Sequence, residues 1–387
     1  MVAEGRVKRV GLLATQGIRH GASRVVLERV KETGDIFVAW SDEEWVVEGA
    51  AVHVSVVGFD DGSEQERMLD GNPVTAINAN LTAGFDFTKL RRLPDNNRIA
   101  FEGAKKGGPF EIAADVSTAM LAASNPDGRD NADVIRPWVS GKDITGRPRD
   151  LYIIDFAELP EDEAALYEAQ FEYVREHVLP VRESNRRDRR RLRWWQHSET
   201  VPGIRNATTR LTRFVATVNV SKHRLFVWLD GRTLPSNSIV LFASDDDYVL
   251  GLLQSTVHET WARRLGGQVR EVESGFRYTP TTCFETFPFP EPSDVQRDAI
   301  RNAAKSLDDL RRGWLFPASA DEDELKRRTL TKLYNEAPAW LTLAHERLDR
   351  SVHAAYGWSF PMSEDDVLVA LADLNAARSD YDVSSAA

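Results

Sequence analysis

The residues of this chain best suited to chemistry are cationic and aromatic rather than nucleophilic. From position 186 to 195 the sequence reads RRDRRRLRWW. Arg186, Arg187, Arg189, Arg190, Arg191 and Arg193 supply planar guanidinium donors that match phosphate oxygens, and Trp194 and Trp195 supply flat faces on which an unpaired base can stack. The same run also suits a solvated helix end whose tryptophans enter a core. Phosphate contact is the favoured reading for the arginines, while stacking and core packing stay equally open for the tryptophans. Lys222-His223-Arg224 precedes LFVWL, so Lys222 and Arg224 fall on a loop that can meet a phosphate backbone, or on an ordinary polar hairpin turn. Residues 268–279, QVREVESGFRYT, carry Arg270, Glu273 and Arg277 with Gly275 as a bend. Arginine reads guanine with two hydrogen bonds and glutamate accepts from the cytosine amino group, so a β-ribbon bearing both suits a major groove. Taken by themselves these residues fit a charged hairpin better.

Other chemistries leave no trace. Cys283 is the single cysteine, which excludes an internal disulfide and a zinc site built on paired cysteines. The eight histidines form no ligand pairs, so no metal site is predicted. No two glycines are separated by a single residue, and the phosphate-loop, nucleophile-elbow and H-E-x-x-H motifs are missing. No catalytic residue is assigned.

Charge distribution favours a polyanion. The net charge of −11 conceals a basic middle: residues 182–232 hold 13 Lys and Arg against 4 acids, a balance of +9 that leaves −20 on the rest. With 387 residues, 42% of them hydrophobic, the chain is long enough for two or three domains with sizeable cores. No apolar run is long enough to span a membrane and residues 1–10 lack the core of a signal peptide, so a cytoplasmic protein in a reducing compartment is expected.

Three stretches of different rhythm must position these residues. Residues 7–14 and 36–40 read as strands, 22–33 as a helix, and alternation at Val52, Val54 and Val56 as a further strand before a turn at 60–62. Residues 71–141 are rich in turn formers. A strand at 151–156, a helix at 164–177, strands at 214–220, 225–229 and 239–242 and a helix at 248–265 follow. Four prolines between 279 and 292 predict an extended linker. From Ser293, which forms a capping box with Gln296, the chain is helical: 295–314, then 325–356 interrupted at Pro338, then 363–377.

The blocks GLLATQGIRHGASRVVLERV, NPDGRDNADVIRPWVSGKDITGRPRDLYIIDF, ATVNVSKHRLFVWL, FRYTPTTCFETFPFP, RRTLTKLYNEAPAWL and AAYGW resemble, in order, the MmeI-like DNA methyltransferases of restriction-modification systems. That resemblance implies three parts. Residues 1–115 correspond to the last part of a Rossmann-like α/β methyltransferase domain, 116–292 to an α+β target-recognition domain and 293–387 to an all-α C-terminal domain. The partner implied is double-stranded DNA. The family's base-reading segment corresponds to residues 267–278, which raises Arg270, Glu273 and Arg277 to base-readout candidates. Trp40 and Trp45 become candidates to stack on a flipped adenine, against a competing role in covering the sheet.

This sequence departs from the family where methyl transfer is performed. The F-x-G-x-G cofactor loop and the N-P-P-aromatic catalytic loop have no match; Asn72-Pro73-Val74 and Asn125-Pro126-Asp127 lack the second proline and the aromatic. The expectation is therefore a truncated or split site-specific adenine-N6 methyltransferase, inactive alone. S-adenosylmethionine is implied for the complete enzyme and no cofactor is assigned to this chain. The alternative is a non-enzymatic specificity subunit that docks on a separate polypeptide carrying the missing methyltransferase half.

Overall fold

The computed structural model describes residues 7–19, 21–47, 50–83, 87–268 and 275–385. The chain is mixed α/β and divides into two compact units, Met1–Arg91 and Arg92–Ala387.

The first unit is built on a five-stranded sheet in the order Arg9–Thr15, Ala50–Asp60, Asp35–Val47, Arg67–Leu69, Asn72–Val74. All neighbours are antiparallel except Asp35–Val47 with Arg67–Leu69. The expected strand at 36–40 extends through Val47, because Ala50–Asp60 offers a long partner and two register shifts, at Ile36/Val38 and Trp40/Glu43, bend the pair without ending it. Helix Val25–Thr33 lays Leu27 on the sheet against Ile36, Ala39 and Val57. Gly34 follows this helix where a Cβ would stand 1.9 Å from the Asp60 carbonyl oxygen, so only glycine permits the approach.

The second unit contains two four-stranded sheets. One runs Phe226–Asp230, Arg213–Val218, Ile239–Phe242, Ala100–Glu102, antiparallel throughout. Its central strand IVLF is wholly buried, as a β-branched and aromatic run without alternation predicts. The other runs Leu234–Pro235, Ile135–Val139, Leu151–Ile154, Glu111–Ile112. The chain leaves the first sheet at 234–235 to pair parallel with Trp138 and Val139, then returns. Gly103 and Ala104 donate backbone hydrogen bonds to Ile239 and Pro235 at 3.0 and 2.8 Å, which ties the edge strand to that crossing.

Ala100–Glu102 and Glu111–Ile112 are sheet strands of the second unit. Two expectations need correction. The helix expected at 248–265 is two, Asp247–Gln254 and Thr256–Leu265; Ser255 lies between them in extended backbone, and its hydroxyl accepts from the His258 amide. The proline-rich segment 279–292 is no linker: Cys283, Phe284 and Phe287 are fully buried. Its carbonyls are satisfied by side chains: Asn96 Nδ2 donates to Phe284 O and Phe287 O at 2.9 and 2.7 Å, and the Tyr248 and Tyr356 hydroxyls donate to Pro290 O and Pro288 O. Prolines removed donors, but the aromatic residues between them supplied core.

The C-terminal helices Asp294–Leu315, Glu322–Arg327, Leu330–Glu336, Ala339–Tyr356 and Glu364–Ser385 lie within the second compact unit. Gly251 lets them in: a Cβ there would meet Ile300 Cγ2 at 2.7 Å and Leu348 Cδ1 at 3.2 Å. The capping box of Ser293 and Gln296 forms as the spacing predicts. Asp246, which caps Asp247–Gln254, also receives Arg301 and Arg297 from the long helix; the Arg301 hydrogen bond first of all holds its carboxyl well below the usual carboxylate range. Among the described residues no helix is long and apolar enough to cross a membrane.

Candidate nucleic-acid interface

The arginine run forms a short helix, Asp188–Leu192, none of whose residues is buried. Arg186, Arg187, Arg189, Arg191 and Arg193 are exposed and Arg190 half-buried. Arg191 pairs with Asp188 at 2.7 Å, whereas among the described residues Arg186, Arg187, Arg189 and Arg193 form no ion pair. Guanidinium groups so close along the chain repel one another, so the run needs an anchor. Trp194 and Trp195 provide it, buried with Phe156 and Phe171 in the core beneath. Trp195 Nε1 donates to Leu159 O at 2.9 Å, and the Trp194 ring lies 5.2 Å from that of Phe171. Of the two roles open to these tryptophans, the structure gives the packing one. Arg182, 1% exposed, is the second anchor. It donates Nε to Gly107 O at 3.1 Å, Nη2 to Lys106 O at 2.8 Å and Nη1 to Arg190 O at 3.2 Å. Burial, then the neighbouring Arg190, push its guanidinium down to about 10.

A second basic region surrounds a two-stranded ribbon, Gly267–Gln268 with Phe276–Arg277. Arg270 and Glu273 lie outside the described residues; Arg277 lies within them. Phe276 and Tyr278 face the core and Arg277 faces solvent, the ordinary alternation of a strand. The Arg277 guanidinium is 3.7 Å from the Glu102 carboxylate. Gly266 allows the ribbon to close, since a Cβ there would stand 2.3 Å from the Phe276 ring and 2.7 Å from Arg277 O.

The Lys222 loop is fastened to this ribbon. Ser221 N donates to Phe276 O at 3.2 Å and Tyr278 N donates to Asn219 O at 2.8 Å. Lys222 is exposed, its Nζ donating to Asn335 Oδ1 at 3.1 Å. Arg224 is not available to phosphate: it is 2% exposed, with Nη1 donating to Thr217 Oγ1 at 3.1 Å and to Val218 O. Its position one residue before Leu225 and Phe226, both buried, turns it inward, and desolvation pushes its guanidinium down to about 10. His258, buried beside Tyr278, is neutral; burial takes its ring down to about 3, with Nδ1 donating to Leu253 O and Nε2 accepting from the Tyr278 hydroxyl at 3.1 Å.

Lys222 and Arg277 thus stand on neighbouring backbone segments, while the arginine helix sits on another element of the same unit. Residues 102–108 run between them: Glu102 faces Arg277, Lys105 pairs with Glu199 at 2.8 Å, and Gly107 O receives Arg182. Sequence reasoning did not single out Arg263, whose Nη2 donates to Lys222 O at 3.2 Å and whose guanidinium lies 5.5 Å from the centre of the Phe276 ring. Its spacing from Glu259, four residues earlier, is that of an ordinary helix ion pair, which it also makes at 2.6 Å. In the first unit Trp40 and Trp45 are 39% and 45% exposed on strand Asp35–Val47, opposite Val56 and Val52. Among the described residues no group of three or more His, Cys, Asp or Glu is placed to hold a metal ion.

Comparison with known proteins bears on this geometry. Residues 104–291 match the family model of the MmeI target recognition domain. DNA methyltransferase A of Bacillus subtilis (strain 168) is 30% identical over 167 residues, which are 42% of this chain and 17% of that protein. A solved structure of the type IIL restriction-modification enzyme MmeI in complex with DNA shares the fold with a TM-score of 0.71 at 20% identity, over 96% of this chain and 50% of that one. The chain therefore spans about half the length of the solved enzyme. Both the ribbon and the arginine helix lie inside residues 104–291, the segment that matches the MmeI target recognition domain model.

Proposed function

We propose that the chain is the part of a site-specific adenine-N6 DNA methyltransferase of a restriction-modification system that selects the duplex sequence. The observation that carries this reading is a row of exposed arginines held rigid by two buried tryptophans inside a target recognition domain. Arg186, Arg187, Arg189, Arg190, Arg191, Arg193 and Lys222 would hold the phosphate backbone, and Arg277 on the ribbon, with Arg270 and Glu273, would read base edges. The first unit is taken as the closing part of the methyltransferase domain, with Trp40 and Trp45 as stacking surfaces for a flipped adenine.

The pocket for S-adenosylmethionine is assigned to a part of the enzyme that these residues do not build. What supports this is that the F-x-G-x-G cofactor loop and the N-P-P-aromatic catalytic loop have no match in the sequence. Methyl transfer would then require a second polypeptide or a further segment, and no step of it is derived for this chain.

Salt dependence tests the phosphate contacts. Binding of the chain to duplex DNA should weaken steeply with salt, and replacing Arg189, Arg190 and Arg191 by alanine together should flatten the log–log slope by up to about 2.7. A slope unchanged by the triple variant would remove this helix from the interface.

A further inference from the structure

Among the described residues Arg224 is a buried cation with no carboxylate in an ion pair with it. The partners of its Nη1 are the Thr217 hydroxyl and the Val218 carbonyl, and its fully buried Nε and Nη2 have no hydrogen-bond partner among the described residues. Burying a guanidinium with two donors unmade opposes folding, and an apolar side chain of similar length would be less costly there. The fold therefore gives no reason for an arginine at this position. Its surroundings give one. The guanidinium carbon lies 4.9 Å from the centre of the Phe276 ring and 5.2 Å from that of Tyr278, the two residues that flank exposed Arg277. Cation–π attraction is strongest where water is excluded, as it is here. From behind, Gln254 Nε2 donates to Arg224 O at 3.2 Å, while Gln254 Oε1 accepts from Phe226 N at 2.9 Å and from buried Arg311 at 3.0 Å. The arginine thus joins the end of strand Arg213–Val218 to the strand that presents Arg277.

We propose that Arg224 is a positioning residue for base readout: its planar cation clamps Phe276 and Tyr278 and so sets the register and direction in which the ribbon offers Arg277, an assignment that rests on the recognition reading above. It touches no DNA itself. Only a flat, delocalised cation can cover two rings at once, so lysine is no substitute.

The test is a selection of duplexes from a random-sequence library on the full wild-type chain, followed by affinity measurements on the selected and a random duplex for wild type, R224M and R224K. The expected result is a selectivity ratio lowered about tenfold or more in both variants, with affinity for the random duplex changed less than about twofold and the melting temperature of R224M equal to or above that of wild type. F276L, which removes one clamped ring, should lower the ratio in the same way. A wild-type chain that enriches no sequence overturns the recognition reading, and the role of Arg224 with it. An enriched sequence that both Arg224 variants still bind with wild-type selectivity overturns the Arg224 assignment alone. So does a loss of selected and random binding in equal measure, or a fall in melting temperature, since either marks the arginine as a fold element.

Discussion

At the scale of the residue, the charges of this chain separate into those that face water and those the interior holds. The exposed arginines of 186–193 are free to exchange partners, whereas Arg182, Arg224 and Arg311 are buried with carbonyls, rings and amides around them. Nothing in the local sequence separates the two sets, since Arg182 and Arg186 share a run rich in polar neighbours. Asp349 is a buried charge of the opposite sign. It sits in helix Ala339–Tyr356 and accepts from the Thr256 amide at 2.8 Å, and burial, with Glu259 and Glu346 adding to it, raises its carboxyl to about 6. A pKa raised on folding means that the stabilisation is present below pH 4 and lost as pH rises through 6. We expect Asp349→Asn to remove a stability difference on the order of 2–3 kcal/mol between those pH values, read from urea unfolding of wild type and variant at pH 4 and pH 7.5. Equal pH profiles for the two proteins would show that Asp349 titrates normally.

At the scale of the element, the long helices were legible because amphipathic spacing and caps agree: Ser293 and Gln296 start Asp294–Leu315, and Pro338 separates Leu330–Glu336 from Ala339–Tyr356. The proline-rich 279–292 was misread because proline marks the loss of a donor, not exposure, and side chains such as Asn96 can satisfy the freed carbonyls. Glycine offers a paired test of how tightly elements approach. Gly266→Ala would press a Cβ into Phe276 and Arg277 and should cost about 1–3 kcal/mol. Gly313→Ala, in helix Asp294–Leu315 with nothing within 4 Å of the new Cβ, should stabilise by up to about 1 kcal/mol. Denaturant midpoints for both variants decide, and a neutral Gly266→Ala would mean that the ribbon yields without strain.

At the scale of the whole molecule, the division into units follows strand pairing rather than composition. Residues 92–115 look like loop by their turn formers, yet Ala100–Glu102 pairs with Ile239–Phe242 and Glu111–Ile112 with Leu151–Ile154. A fragment of residues 92–387 should accordingly melt in one cooperative transition as a soluble species. A fragment of residues 116–387 would expose two sheet edges and should aggregate, as gel filtration and thermal melts would record. Equal behaviour of the two fragments would contradict the boundary at residue 91.

The sequence by itself determined the local and the categorical: the capped long helices and the strands of apolar run, where the positive charge concentrates, and the resemblance that the match of residues 104–291 to the MmeI target recognition domain model bears out. These depend on spacing, net charge and ordered blocks, all of which are properties of the chain read along its length. Only the tertiary structure decided that Trp194 and Trp195 anchor rather than stack, that Arg224 is buried while Lys222 is not, and that the helical end shares a unit with the sheets. The reason is that burial and pairing are set by residues far away in sequence: Leu159 for Trp195, Phe276 and Tyr278 for Arg224, Ile300 and Leu348 for Gly251.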